Sequence, residues 1–398
     1  MGVKEHTRMS HHQVPSRQRT GINRNVLGMI LHISDCFAPR TGGIESQVVA
    51  LAEAQHRSGQ DIAVATATPA AGQGKEPWPY PVYRITARIP YQLPVHPRAG
   101  RELDRLLTGL APRAVHVHVG AVSPFAWSAL ACVRRLRIPA VVTVHSTWGP
   151  VVRTLYRCLW RTANGPSAPL AVTAVSRLAA GLMGQALPHL TPLVVPNGID
   201  PGLWRGPARD SRHDDRVHVV SVGRLVPRKQ PMELLAALRS AQPRLATRNV
   251  ALRATVAGDG QCMAAMRRYV HRHDMADWVR LAGRIDPGEV RRLLADADLF
   301  INASNHEAFG IAALEARTSG VPILARAHTG VADFVRHNRE GVLCRASTSA
   351  LSDDLVWLAR TPGARRRMAD HNRETLPTPC TWPVVTGAFA HCYDAVAP

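Results

Sequence analysis

The feature that most constrains this chain is a series of short apolar segments alternating with helix-like ones, which breaks off at one polar stretch and then begins again. In the first series strands are expected at 26–34, 62–66, 114–119, 140–145, 170–175 and 192–195, with helical patterns such as 44–58 between them. Each apolar run is short and bounded by turn residues, the pattern of parallel strands covered on both faces. Residues 197–216 carry Asn-Gly, Pro-Gly and Gly-Pro pairs and a charged run, and so read as a linker. The second series places strands at 217–222, 252–257, 279–282, 299–303, 322–325 and 341–344, separated by helices such as 231–241 and 289–297. The expected fold class is α/β, with two Rossmann-like, doubly wound domains at 26–196 and 217–377. Ligands of such sheets bind beyond the carboxyl ends of the strands, so two of them facing each other form a central cleft.

A chain of 398 residues that is 45% hydrophobic has the size and the core for two domains. Residues 1–25 read as a basic, disordered leader. Lys4, Arg8, Arg17, Arg19 and Arg24 ahead of the apolar stretch 26–33 imitate a secretion signal, but His32 interrupts that stretch and no small-x-small cleavage site follows. No apolar run approaches the roughly 18–20 residues that span a bilayer. The seven cysteines are scattered, odd in number and free of C-x-x-C pairs, which favours reduced thiols and a cytoplasmic location. The net charge of +20 is mostly arginine spread along the chain, a solvated surface that also suits peripheral contact with the inner face of a membrane. No zinc-finger spacing, aromatic RNA-binding motif or heptad-linked basic region accompanies it, so nucleic acid is not an expected partner.

Two loops carry the chemistry. In Gly223-Arg-Leu-Val-Pro-Arg-Lys-Gln230, Arg224, Arg228 and Lys229 gather positive charge just before a helix N-terminus, a suitable diphosphate site. The G-x-x-x-x-G-K-[ST] phosphate loop is absent. In Asn305-His-Glu-Ala-Phe-Gly-Ile-Ala-Ala-Leu-Glu-Ala316, Glu307 lies in the loop, Gly310 lets backbone approach a ligand, and Glu315 falls a turn into the following helix. Two carboxylates about a helix start suit a sugar nucleotide, whose ribose and hexose offer paired hydroxyls while its phosphates accept from backbone amides.

In combination these segments resemble the retaining glycosyltransferases of family 4, which have the GT-B fold. The resemblance covers about residues 26–344 and rests on Thr41-Gly-Gly-Ile-Glu45, Val194-Val-Pro-Asn-Gly-Ile-Asp200, Val222-Gly-Arg-Leu225 with Lys229, Val256-Ala-Gly-Asp-Gly260, Leu281-Ala-Gly-Arg284, and Glu307 with Glu315 in E-x7-E spacing. It implies a metal-independent hexosyltransferase without a cofactor, using a UDP-linked sugar as donor. Arg224 and Lys229 would bind the diphosphate, Glu315 the ribose, and Glu307 the transferring sugar. The amides of Phe309, Gly310 and Ile311 would help to hold sugar and phosphate, Arg284 marks where backbone reads the base, and Gly43 reaches the phosphates from across the cleft. Residues 378–398 fit a short version of the family's final helix, which packs back on the N-terminal domain. The acceptor, whether small molecule, glycan or lipid, would be bound by variable N-terminal loops such as 69–81. A same-fold epimerase or phosphorylase shares the cleft, and a polyanion-binding protein would share only the charge.

The histidines carry less. Successive strand side chains alternate faces, so joint metal ligation by His116 and His118 is not expected. Family likeness sets His118 by the reacting sugar, as a catalytic residue, and His145 ends the next strand. Asp296-Ala-Asp298 resembles a metal-binding D-x-D, but it closes a helix before a buried strand, and no metal site is assigned.

Overall fold

The computed structural model describes residues 28–71, 77–86, 96–162, 169–206 and 215–397. The expected leader at 1–25, residues 72–76 of the expected acceptor loop and residues 207–214 of the expected linker lie outside the described residues. The first half comprises β1 (Ile30–Ser34), α1 (Gly43–Arg57), β2 (Ile62–Thr66), β3 (Val82–Arg84), α2 (Ala99–Leu110), β4 (Ala114–Val119), α3 (Pro124–Leu136), β5 (Ala140–Val144), α4 (Pro150–Thr162), β6 (Leu170–Ala174), α5 (Arg177–Ala186), β7 (Leu193–Val194) and the single turn α6 (Pro201–Trp204). The second comprises β8 (Arg216–Val222), α7 (Pro231–Ala246), β9 (Ala251–Ala257), α8 (Met263–Arg272), β10 (Val279–Gly283), α9 (Pro287–Ala295), β11 (Leu299–Asn302), α10 (Ile311–Thr318), β12 (Ile323–Arg326), β13 (Gly341–Cys344), α11 (Thr348–Arg360), α12 (Pro362–Glu374) and α13 (Trp382–Val396).

Two parallel sheets result, in the orders β3-β2-β1-β4-β5-β6-β7 and β10-β9-β8-β11-β12-β13. Counted within each half, both follow the doubly wound order 3-2-1-4-5-6, with a seventh strand, β7, added at the edge of the first; the ligand crevice of such a sheet opens where the winding reverses. Those reversal points are β1/β4 in the first sheet and β8/β11 in the second. Every residue of β1, β2, β4 and β5 is buried, as mostly apolar runs require of strands covered by helices on both faces. The α/β expectation and the GT-B architecture are thus met.

Local chemistry explains the differences. β3 was not expected: three half-buried residues at a sheet edge leave too short a pattern to read. α9 begins at Pro287, ahead of the expected 289, because Asp286 and Glu289 form a reciprocal capping box. α7 runs on through Pro243 to Ala246 because Ala241 and Leu245 remain buried on its inner face.

The last helix returns to the first domain. Val385, Phe389, Cys392, Tyr393 and Val396 of α13 are buried in one cluster with Val48 and Leu51 of α1 and Val141 of β5. At the crossover, Ile199 N donates to Cys380 O at 2.7 Å, and the Gln47 amide bonds both the N–H and the C=O of Gly198, at 3.0 and 3.1 Å. Gly198 is required there, since a Cβ would stand 2.3 Å from the Trp382 ring.

Candidate active site

The winding reversal of the second sheet brings the loops after β8 and β11 together, and these are the two loops the sequence singled out. Lys229 ends a short 3-10 turn (Pro227–Lys229), and Gln230 follows in the left-handed conformation at φ 53° before α7 starts. Lys229 Nζ meets Glu307 Oε2 at 2.5 Å, with the two side chains 24% and 12% exposed. Asn302, at the end of β11, donates to the same carboxylate oxygen at 3.1 Å. Burial would raise the Glu307 carboxyl, but the charge and hydrogen bond of Lys229, the Asn302 amide and the charge of Arg228 together hold it below its ordinary value.

The two loops are tied to each other besides. Asn305 N donates to Gln230 Oε1 at 2.6 Å, Gln230 Nε2 to Glu233 Oε1 at 2.5 Å, and Ser304 Oγ to the Arg228 carbonyl at 3.1 Å. Arg326, at 1% exposure, bonds the carbonyls of Ala303, Arg345 and Ser347 and pairs with Glu233 at 3.4 Å. Asn302, Gln230 and Arg326 were not singled out from sequence. Their one signal was a polar residue closing or following an apolar strand, which is too common to be selective.

Glu315 stands in α10, eight residues beyond Glu307. Its carboxylate has no hydrogen-bond or ionic partner among the described residues, and burial raises its pKa to about 8. Gly310 precedes α10 at φ 97°, where a Cβ would also stand 2.6 Å from Val331 Cγ2. The amides of Phe309, Gly310 and Ile311 donate to no described residue, so the helix start presents three unengaged N–H groups. The Phe309 side chain is buried against Phe334, leaving only its backbone for a ligand.

The Gly258-Asp-Gly260 turn packs on the first loop. Gly258 and Gly260 have φ of 137° and 157°, and a Cβ on either would meet the carbonyl of Gly223 at 1.8 Å or of Leu225 at 2.5 Å. Leu225 N donates to Asp259 O, and Gly258 N to Gly283 O, which sets the exposed Arg284 on the same edge of the sheet. Arg224 is exposed, and its charge reaches Cys36 in the loop after β1. Gly43 faces α10 from the opposite wall, since a Cβ there would lie 3.2 Å from Ile311 Cδ1. Arg177 binds Asp333 through its backbone N–H at 2.7 Å and its Nε at 3.1 Å, joining the two walls elsewhere.

The histidine expectation requires correction. His116 and His118 are two residues apart, so the strand period of two puts them on one face, not opposite ones. Their rings lie 4.1 Å apart, and the parallel register sets His32 of β1 beside His116. Ring nitrogens of His32, His116 and His118 fall within 4.8 Å of one another. The rings are nevertheless tilted only 14–39° from parallel, and each nitrogen already has a partner, so they do not aim lone pairs at a common ion. His118 is buried, with His32 on one nitrogen and His145 on the other, both at 3.0 Å. Asp296 and Asp298 serve the fold: Asp298 accepts from His218 N at 2.7 Å and Asp296 contacts His218 Nδ1 at 3.1 Å.

Sequence comparison finds two family descriptions in tandem: Glycosyltransferase Family 4 matches residues 41–203, and Glycosyl transferases group 1 matches residues 208–375. The chain is 29% identical over 311 residues to glycogen synthase of Mycobacterium tuberculosis, covering 75% of this chain and 73% of that protein. It is 26% identical over 391 residues to the GDP-mannose-dependent alpha-mannosyltransferase of the same species, covering 92% and 96%. Among solved structures, Anabaena Alr3699/HepE in complex with UDP-glucose superimposes with a TM-score of 0.73 at 18% identity, over 92% of this chain and all of that one. No helix among the described residues is long and apolar enough to cross a membrane.

Proposed function

The chain belongs to the group 1 glycosyltransferases, and from that premise we propose that it is a metal-independent, retaining hexosyltransferase that takes its sugar from UDP and delivers it to a hydroxyl acceptor. One observation carries the reading: at the winding reversal of the second sheet, the Lys229–Glu307 pair, the unpartnered Glu315 carboxylate and the three unengaged amides of Phe309–Ile311 share one edge. Arg224 and Lys229 hold the diphosphate and offset its growing charge, with the helix-start amides as further donors. Glu315 accepts from the ribose hydroxyls, which supply the partners its carboxylate lacks. Glu307 orients Lys229 and accepts from the sugar. Gly43 lets the opposite wall approach the phosphates, and the exposed Arg284 stands beside the base.

Transfer then breaks the bond between the anomeric carbon and the β-phosphate oxygen, and the bonding pair leaves with UDP. The acceptor oxygen adds to the face the phosphate leaves, and its proton passes to that phosphate oxygen. No protein nucleophile is needed, and fixed positive charge in a closed cleft is among the largest catalytic contributions available. A screen of UDP-, GDP- and ADP-sugars for donor hydrolysis by mass spectrometry, followed by an acceptor panel, tests the reading. UDP-hexose turnover is expected, GDP-mannose turnover alone would replace the donor, and interconversion of the sugar without transfer would make the protein an epimerase.

A further inference from the structure

A second concave site lies at the opposite edge of the second sheet from the Lys229–Glu307 pair. Asn302 and Glu307 stand at or beyond the carboxyl end of β11, whereas Ala297 precedes β11 and Val321 precedes β12. Ala297, Ser319, Gly320 and Val321 line a cavity of about 250 Å³ together with residues of α9, α12 and the short α6. α10 separates the two sites. Its first residue follows Gly310, and its last, Thr318, leads into the cavity wall, about 12 Å further on at 1.5 Å per residue.

Arg205, Arg291, Arg292 and Arg373 share this cavity, and no acidic residue lines it. Arg292 and Arg373 stand in the last turns of α9 and α12, where a cation complements the helix dipole. That reason does not extend to Arg205 and Arg291. The side chains are also set in place. Arg205 Nη2 donates to the Arg373 carbonyl at 2.8 Å, and Arg373 Nη1 to Asp370 at 2.7 Å. Gly320, at φ 84°, makes room for Arg373, whose Cγ would lie 2.6 Å from a Cβ there. The Arg291 guanidinium lies 6.0 Å from the centre of the half-buried Trp204 ring. Neither Arg291 nor Arg292 has a hydrogen-bond or ion-pair partner among the described residues. Asp286 feels the charge of Arg292, but its carboxylate is engaged in the α9 capping box.

We propose that this cavity is a second anion site, which takes a small phosphate ester: the phosphoryl group among the guanidiniums, and an organic body of about sugar size against Trp204. Guanidinium forks match phosphate oxygens and are more weakly hydrated than ammonium groups. A phosphate monoester carries close to two negative charges near pH 7, which suits several cations with no acid among them. The volume exceeds what a bare phosphate fills, and Trp204 and Leu294 give it an apolar wall. α6 follows the crossover at Ile199 while α9, α10 and α12 belong to the second half, so an occupant bridges the connecting segment to the second sheet's helices. Ligand sites favour such junctions. None of this depends on the transferase reading.

Calorimetric titration of inorganic phosphate and of ribose 5-phosphate, at about 0.15 M salt and with excess UDP present to fill the other site, tests the proposal. Ribose 5-phosphate should bind saturably, one to one, and more tightly than phosphate. Arg291→Gln combined with Arg292→Gln should weaken it roughly tenfold or more, the loss of about one charge-assisted hydrogen bond, and Trp204→Ala should reduce it to the strength of phosphate. The charge-matched pair Arg267→Gln and Arg268→Gln, exposed on α8 outside the cavity, should bind as the wild type does, and so should Lys229→Ala. An equal loss in the α8 pair would reduce the effect to general attraction by a basic surface. Loss in Lys229→Ala would move the ligand to the other site, and binding no tighter than that of phosphate would remove the organic body. Each of these results overturns the proposal.

Discussion

Replacing Lys229 by Met separates what the Lys229–Glu307 pair does for the fold from what it does for the reaction. Removing one partner of a fully buried pair costs about 3–5 kcal/mol, and of an exposed pair about 0–1 kcal/mol. These side chains are 24% and 12% exposed, and Glu307 keeps Asn302 at 3.1 Å, so the loss should lie between those limits. A value of about 2 kcal/mol corresponds to a fall of roughly 4–8 °C in the melting temperature of a domain this size. The pH dependence has a definite sign. In the wild type the Glu307 carboxyl is held below its ordinary value of 4.5, and so contributes stability above that pH, which is lost as pH falls through the lowered value. Without Lys229, burial dominates and the charged form becomes a cost, so the gap in melting temperature between wild type and variant should widen from pH 4 toward pH 7. Glu307→Gln on top of Lys229→Met should recover most of the stability but no activity. In kinetics, Lys229→Met should cost about 2–4 kcal/mol of transition-state stabilisation, roughly 30- to 1000-fold and mainly in kcat, and more than Arg228→Ala. Equal melting differences at pH 4 and pH 7, or a double variant no more stable than the single one, would refute the reasoning.

Three further outcomes follow from the same geometry. Glu315→Gln should raise the melting temperature, by an amount that opens above about pH 4.5 and levels near pH 8, because the wild-type carboxyl, shifted up to about 8 by burial, stays protonated in the folded protein over a range in which the unfolded chain gains by ionising it; the same change should weaken donor binding, and a gain independent of pH would contradict it. Gly43→Val should raise the donor KM because even a Cβ lies 3.2 Å from Ile311 Cδ1, and Ile311→Ala should restore part of the loss; kinetics of the single and double variants decide this. Transfer should proceed in excess EDTA, and abolition reversed by Mg²⁺ or Mn²⁺ would show that Arg224 and Lys229 do not replace a metal.

The sheets were legible because a strand buried on both faces is largely apolar, and β1, β2 and β4 announce themselves that way even with histidines inside β1 and β4. The two loops that meet at the second sheet's reversal point were legible because E-x7-E and the Arg224/Lys229 spacing lie within single stretches of chain. What escaped depends on register and return. His32 and His118 meet across 86 residues, and Tyr393 reaches His116 across 277. Nothing in either local sequence encodes those meetings; parallel pairing of β1 with β4 and the docking of α13 create them. The misjudged His116–His118 pair was an error of period, since the relation between i and i+2 could have been read from sequence.

Calorimetric titration of UDP into the wild type, Lys229→Ala and Glu315→Ala tests most directly whether the second sheet's reversal point is a donor site. Saturable one-to-one binding should appear in the wild type, weakened by at least tenfold in each variant, with both variants folded as judged by circular dichroism. Binding of equal strength in all three proteins would place the nucleotide elsewhere and contradict the assignment of the cleft.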